Sequence, residues 1–143
     1  MKGSPSLTKA EYEKLAAFRF ALRQFLRFSE EAAQEAGVTP QQHQALLAIK
    51  GYPGRDEVTV GELAERLQVQ HHSAVGLVDR LSAEALVSRK PSALDRRQVN
   101  IRLTKKGEKL LAGLVEIHRA QLRRTGPKLR LLLEQLGAME TGE

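Results

Sequence analysis

The sequence predicts a mostly α-helical fold with one small antiparallel β-hairpin, and three observations lead there. Threonine-based helix-start signals, each followed by apolar residues at helical spacing, recur along the chain. One segment, Gln98-Val99-Asn100-Ile101-Arg102-Leu103, instead alternates apolar and polar strictly, which is the period of a half-buried strand. Short stretches with turn chemistry, GYPGRDE at 51–57 and PSALDRR at 91–97, punctuate the pattern.

The 143 residues fit one domain, large enough to bury a core. A hydrophobic content of 41% with 28% charged residues is ordinary for a globular chain. No run approaches the roughly 18 apolar residues of a transmembrane span, and MKGSPSLTKAEYEK lacks the apolar centre of a signal peptide. The expectation is a cytoplasmic protein with no membrane association. There is no cysteine, hence no disulfide framework and no thiol switch. The formal charge is +6 and unevenly placed. Residues 88–106 hold Arg89, Lys90, Arg96, Arg97, Arg102, Lys105 and Lys106 against Asp95 alone, whereas residues 1–57 nearly balance. Residues 119–130 add Arg119, Arg123, Arg124, Lys128 and Arg130 with no acid. Clustered cations suit a polyanionic partner.

Past a loose tail at 1–7, Thr8-Lys9-Ala10-Glu11 is a capping box that opens a first helix, expected to reach about Ala36 and stop at Gly37. Leu15, Phe18, Leu22 and Phe25 form one stripe on it, and Phe20 and Phe28 fall off that stripe. A helix apolar on more than one face is buried on more than one face, so the second is expected to meet a partner chain. Thr39-Pro40-Gln41-Gln42 starts a second helix with proline at its first position, carrying Ala45, Leu46, Leu47 and Ile49 to Gly51. After the connector at 51–57, Thr59-Val60-Gly61-Glu62 is another capping box and opens a third helix with Leu63, Ala64 and Leu67. A turn near Gln68-Val69 leads to a fourth helix, in which Ala74, Leu77, Val78 and Leu81 recur at i, i+3, i+4, i+7, ending near Ala85. Residues 86–90 read as a strand, 91–97 as a turn, and 98–103 as a second strand with Val99, Ile101 and Leu103 facing in. Thr104 caps a fifth helix holding Leu110, Leu111, Leu114, Val115, Ile117, His118 and Leu122. Thr125-Gly126-Pro127 is expected to break it, leaving a sixth helix striped by Leu129, Leu132, Leu133 and Leu136.

Residues 58–104 thus string together two short helices, a tight turn, and two strands joined by a basic loop. That order is a winged helix-turn-helix core, a shape that lays its second helix in a DNA major groove. With Ala74, Leu77, Val78 and Leu81 inward, the outer face of that helix presents His72, Gly76 and Asp79, flanked by Ser73, Arg80, His71 and Val75. Gln70, His71, His72 and Ser73 can donate or accept hydrogen bonds at base edges, and Val75 suits a thymine methyl. Gly76 costs a helix interior roughly 1 kcal/mol against alanine, which close approach to DNA or tight helix packing would explain. Arg80 is better placed for phosphate. Arg96 and Arg97 at the wing tip suit a minor groove or its phosphates, with Asp95 as a structural partner that orients an arginine.

The run LQVQHHSAVGLVDRLSAEALVSRKPSALDRRQVNIRLTKKGEKLL resembles the MarR family of bacterial transcriptional regulators. The passage LVDRL to LVSR, the DRR tip and the closing RLT-x-x-G carry the resemblance together, and the helices on either side fit the same layout across essentially the whole chain. The resemblance implies a single domain over 1–143, with the winged helix-turn-helix at 58–104 and dimerisation helices at 8–36 and 104–138. It implies a homodimeric repressor of a pseudo-palindromic operator in double-stranded DNA. The DNA contacts it implies are Gln70, His71, His72, Ser73, Val75, Gly76, Arg80, Arg96 and Arg97. It also implies release by a small phenolic or anionic effector, in a pocket that Phe18, Leu22, Phe25, His43 and Leu47 could line. Three positions depart from the family's habit. Gln68 and Ala85 stand where glycine is frequent and positive φ is favoured, and Gly76 stands where a larger polar or basic side chain is common. The oxidation-sensing branch uses a cysteine that this chain lacks.

Other chemistries fit less well. His71 and His72 are adjacent on a helix and diverge by about 100°, and His43 and His118 are isolated, so no metal or other cofactor is expected. Ser73, His72 and Asp79 lack an oxyanion-hole motif and a nucleophile elbow, and no phosphate-binding glycine loop is present, so no enzyme is expected. The alternative reading is a winged helix that binds protein without sequence-specific DNA binding.

Overall fold

The computed structural model describes residues 6–140. Five helices and three short strands follow one another: α1 (Lys9–Glu35), α2 (Pro40–Lys50), β1 (Glu57–Thr59), α3 (Val60–Leu67), α4 (His71–Ala83), β2 (Val87–Pro91), β3 (Val99–Leu103) and α5 (Lys105–Glu140). The start signals act as their chemistry dictates. Thr39 Oγ1 accepts from the Gln42 N–H at 3.1 Å while Gln42 Oε1 accepts from the Thr39 N–H at 2.9 Å. The Thr59–Glu62 pair repeats the device at 3.2 and 2.9 Å, as does Thr8–Glu11 at 3.3 and 2.9 Å. Each box satisfies two backbone donors that a helix start leaves unpaired. α1 ends where Gly37 takes a φ of 87°.

The chain divides into two compact units: residues 32–116, and the segments 1–31 and 117–143 together. In the first unit, Leu46 and Ile49 of α2, Leu63 of α3, Leu77, Val78 and Leu81 of α4, Leu86, Val87 and Ile101 of the sheet and its approach, and Leu111 and Leu114 of α5 form one buried core. Its sheet has the order β1-β3-β2, antiparallel throughout. The connector at 51–57 therefore does not stay a loop to its end. Its last residue opens β1, which pairs Val58 with Ile101 and Thr59 with Asn100 and makes the sheet three-stranded. Ile101 and Leu103 face inward as expected, but Val99 is 41% exposed. β1 extends only as far as Asn100, so Val99 lies past the part of β3 that the core covers.

The junction between α4, β2 and α5 is tightly bonded. Thr104 Oγ1 donates to the Ala85 carbonyl at 2.6 Å and accepts from the Gly107 N–H at 3.0 Å, while the Thr104 N–H reaches the Leu86 carbonyl at 3.0 Å. Ala85 takes a φ of 59° in the turn. Gly107 passes so close to this turn that a Cβ on it would lie 2.1 Å from the Leu86 carbonyl oxygen.

In the second unit α1 and α5 meet through a small cluster. His118 sits edge-on to Phe25 and Phe28, with ring centroids 6.0 and 5.6 Å away, and its Nε2 lies 2.8 Å from Ser29 Oγ. Phe28 is thus turned toward its own chain, whereas Phe20 is 58% exposed. The expected break at Thr125-Gly126-Pro127 does not occur: α5 runs unbroken with Pro127 inside it. His118, Gln121, Thr125, Leu129, Leu132 and Leu136 are all buried or half-buried, and their spacing holds helical phase straight across the proline. A break would take the last three off that face. Pro127 cannot donate to the carbonyl four residues back, at Arg123, and that residue is exposed, so water can satisfy it. The Thr125 hydroxyl caps the Gln121 carbonyl at 3.0 Å.

Candidate nucleic-acid interface

The interface is built from the turn outward. Gln68 closes α3 in the left-handed region (φ 56°, ψ 47°), with its N–H on the Ala64 and Glu65 carbonyls and its side-chain amide donating to the Glu65 carbonyl at 2.7 Å. A residue with a Cβ is mildly strained there, and the amide bond offsets part of that. The chain then turns through Val69 and Gln70 into α4, whose first turn has no side-chain cap. Ala74, Leu77, Val78 and Leu81 point into the core. That leaves Gln70, His71, His72, Ser73, Asp79 and Arg80 exposed along the outer face, with Val75 at 37%.

Gly76 sits in the middle of this face. A Cβ there would touch only the Arg80 guanidinium, at an ordinary 3.7 Å. No helix packs over the glycine, so helix packing does not account for it, and the face is left shallow beneath Arg80. Asp79 is occupied: its Oδ1 accepts from Arg89 Nη2. One of the clustered cations is therefore neutralised, and α4 is tied sideways to β2. The charge pattern counted Arg89 as part of the basic excess, and nothing in the sequence disclosed this pairing across ten positions.

The wing is a hairpin with Pro91 opposite Val99 and Lys90 opposite Asn100. Its turn is held from inside. Buried Ser92 donates its N–H to the Gln98 carbonyl at 2.9 Å, and its Oγ accepts from the N–H groups of Leu94 and Asp95 at 3.2 and 3.4 Å. Asp95 Oδ1 accepts from Arg97 N at 3.0 Å and Arg97 Nε at 3.2 Å. The arginine is thereby aimed while its side chain stays 91% exposed. Arg96 beside it is exposed too. Such an ion pair contributes little stability in water; what it supplies here is orientation.

The five residues considered for an effector pocket are divided between the two units. Phe18, Leu22 and Phe25 lie on α1 within 1–31, and His43 and Leu47 on α2 within 32–116. Within its own unit Phe25 lines a small cavity of about 100 Å³ with Gln121, Thr125 and Lys128. His43 is buried and Leu47 is 48% exposed. Among the described residues, no three His, Cys, Asp or Glu side chains gather as a metal site.

A helix pair with an exposed polar second helix, sheet-braced to a basic wing, defines a winged helix-turn-helix of the kind that engages nucleic acid. Residues 36–98 match the sequence pattern of the MarR family. Over 87 residues the chain is 33% identical to the HTH-type transcriptional repressor MdtR of Bacillus subtilis, an alignment taking in 58% of this chain and 54% of that protein. The chain thus spans about half the length of the curated relative it matches. In fold it is similar to AbsC, a MarR family transcriptional regulator from Streptomyces coelicolor, at a TM-score of 0.72 and 20% identity, covering 98% of this chain and 100% of that one. It is also similar to a variant of Staphylococcus aureus MepR bound to an oligodeoxyribonucleotide, at a TM-score of 0.65 and 22% identity, covering 96% of each chain.

Proposed function

We propose that this chain is a sequence-specific DNA-binding transcriptional regulator of the cytoplasm, a homodimeric repressor of a pseudo-palindromic operator, released by a small phenolic or anionic effector. The observation that carries the reading is the pairing of α4's outward face of Gln70, His71, His72, Ser73 and Val75 with a wing whose Arg97 is aimed outward by Asp95. In this reading α4 reads base edges in the major groove, Arg80 takes phosphate, and Arg96 and Arg97 reach the adjacent minor groove. The MdtR name, a repressor, and the oligonucleotide on the MepR variant support it. No helix among the described residues is long and apolar enough to cross a membrane.

Dimerisation is supported by apolar surface in the α1–α5 unit. Tyr12, Leu15, Phe20, Leu22 and Leu26 on α1, and Ile117, Leu122, Leu131 and Leu133 on α5, are between 39% and 60% exposed. Apolar exposure along two helices supports an interface with a second copy, and two copies would present two α4 helices to successive major grooves, about 10 bp apart. The test is a selection of bound duplexes from a random pool, followed by binding across salt concentrations. Palindromic winners with that half-site spacing, and affinity falling steeply with salt as counterions are released, are expected. Winners with no shared sequence, or affinity flat with salt, would instead favour a protein-binding module.

A further inference from the structure

The wing carries one residue that its charge does not account for. Leu94 is 100% exposed. The other large apolar side chains exposed in the 32–116 unit are Leu47, Val69, Val75 and Val99, and none of the four exceeds 48%. Isolated exposed leucines are common on protein surfaces, but this one is held in place. Its N–H is bonded to buried Ser92 Oγ at 3.2 Å, the next N–H reaches the same oxygen, and the Asp95 carbonyl accepts from the Gln98 N–H at 3.0 Å. A leucine is therefore presented to solvent on a fixed backbone, two and three residues before Arg96 and Arg97.

We infer that Leu94 is an apolar minor-groove contact, a conclusion that rests on the DNA-binding reading above. A duplex offers this wing two surfaces at once: phosphates along the groove edges, and deoxyribose walls inside, which are apolar. Arg96 and Arg97 match the first. Leu94, projecting from the same turn, matches the second, as apolar side chains do when they enter a minor groove beside basic ones. The two contacts differ in their physical signature. A phosphate contact releases counterions and steepens the salt dependence, whereas burial of a leucine against sugar releases none.

That difference supplies the test. Binding is measured across salt concentrations on a duplex selected by the wild-type chain and on a mixed-sequence duplex of the same length. Leu94→Ala should weaken the selected duplex about tenfold with the slope of log K against log salt unchanged. Leu94→Met, apolar and of similar volume, should stay within about threefold of wild type. Arg97→Ala should weaken both duplexes and lower the slope by about one. Wild-type affinity in Leu94→Ala, with Arg97→Ala still weakened, would overturn the leucine contact and leave DNA binding standing. So would a Met variant as weak as the Ala variant. Failure of the wild-type chain to bind any duplex would instead refute the DNA-binding reading on which the inference rests. Because Leu94 touches solvent only, unfolding curves of both variants should overlay that of wild type.

Discussion

Two glycines in one helix should respond to the same substitution with opposite signs. Gly107, in the first turn of α5, is 2.1 Å from the Leu86 carbonyl oxygen measured from an ideal Cβ, with Leu103 Cγ at 3.4 Å. A carbon and a carbonyl oxygen sit comfortably at roughly 3.3 Å, so Gly107→Ala must open this contact by about 1.2 Å. The Leu86 carbonyl is not free to yield: it accepts the Thr104 N–H at 3.0 Å, and Leu86 itself is 2% exposed. Overpacking a rigid core costs about 1–3 kcal/mol, and loosening the hydrogen bond costs about 1 kcal/mol more. Alanine's better helix propensity returns about 1 kcal/mol. Gly107→Ala should therefore destabilise by about 2 kcal/mol. Gly113, two turns on, has nothing within 4 Å of its Cβ, and Gly113→Ala should stabilise by up to about 1 kcal/mol. Urea unfolding followed by circular dichroism reads both, at one fixed protomer concentration because an oligomer's stability depends on it. The midpoints should move apart with the denaturant slope unchanged. Equal shifts in the two variants, or a Gly107→Ala chain as stable as wild type, would refute the close-packing account.

Other outcomes follow from the same geometry. Leu22→Asp combined with Leu26→Asp places two charges on adjacent turns of the exposed face of α1, and sedimentation velocity should find monomer or aggregate; an intact dimer would move the interface elsewhere. Thr59→Ala removes one side of the capping box at α3 and should lower unfolding stability by about 1 kcal/mol, whereas an unchanged midpoint would mean the box adds nothing beyond the strand pairing. His72→Ala and Ser73→Ala should alter which duplexes are selected from a random pool more than they alter non-specific affinity. Unchanged preference in both would remove the start of α4 from base reading.

Features governed by neighbours in the chain were the legible ones. The capping boxes at Thr8, Thr39 and Thr59 need partners only three residues away, and they form as expected. Positive φ at Gln68 and Ala85 was expected from the resemblance to a family that often has glycine at both, and both adopt it. The buried stripe of α4 follows from its period. What escaped depends on distant partners. β1 is three residues long and has no pattern of its own; it is a strand because β3 passes beside it, Glu57 opposite Arg102. The Asp79–Arg89 pairing likewise needs the hairpin folded against α4. Pro127 misled for the converse reason. Its local effect, a lost hydrogen bond and about 3 kcal/mol against a helix, is outweighed when Leu129, Leu132 and Leu136 all require the original phase. Phe28, which leaves the Leu15–Phe25 stripe, was expected to meet a partner chain, and it lies edge-on to His118 of its own chain, a contact 90 residues away in sequence that no local pattern shows.

β1 has one more consequence. Thr59 is both its final residue, opposite Asn100, and the cap of α3, while Arg89 fastens the far side of the sheet to α4. β1 thus holds α3 against the sheet and Arg89 holds α4 to β2, so in the proposed DNA complex a protomer would act as a caliper of nearly fixed gauge. Such a caliper would widen or narrow little to suit a duplex, so the duplex would have to bring its neighbouring grooves to the gauge. Flexible pyrimidine–purine steps do so at low energy and stiff tracts do not. Base pairs that no side chain touches would then weigh in the choice of site, through how readily they bend.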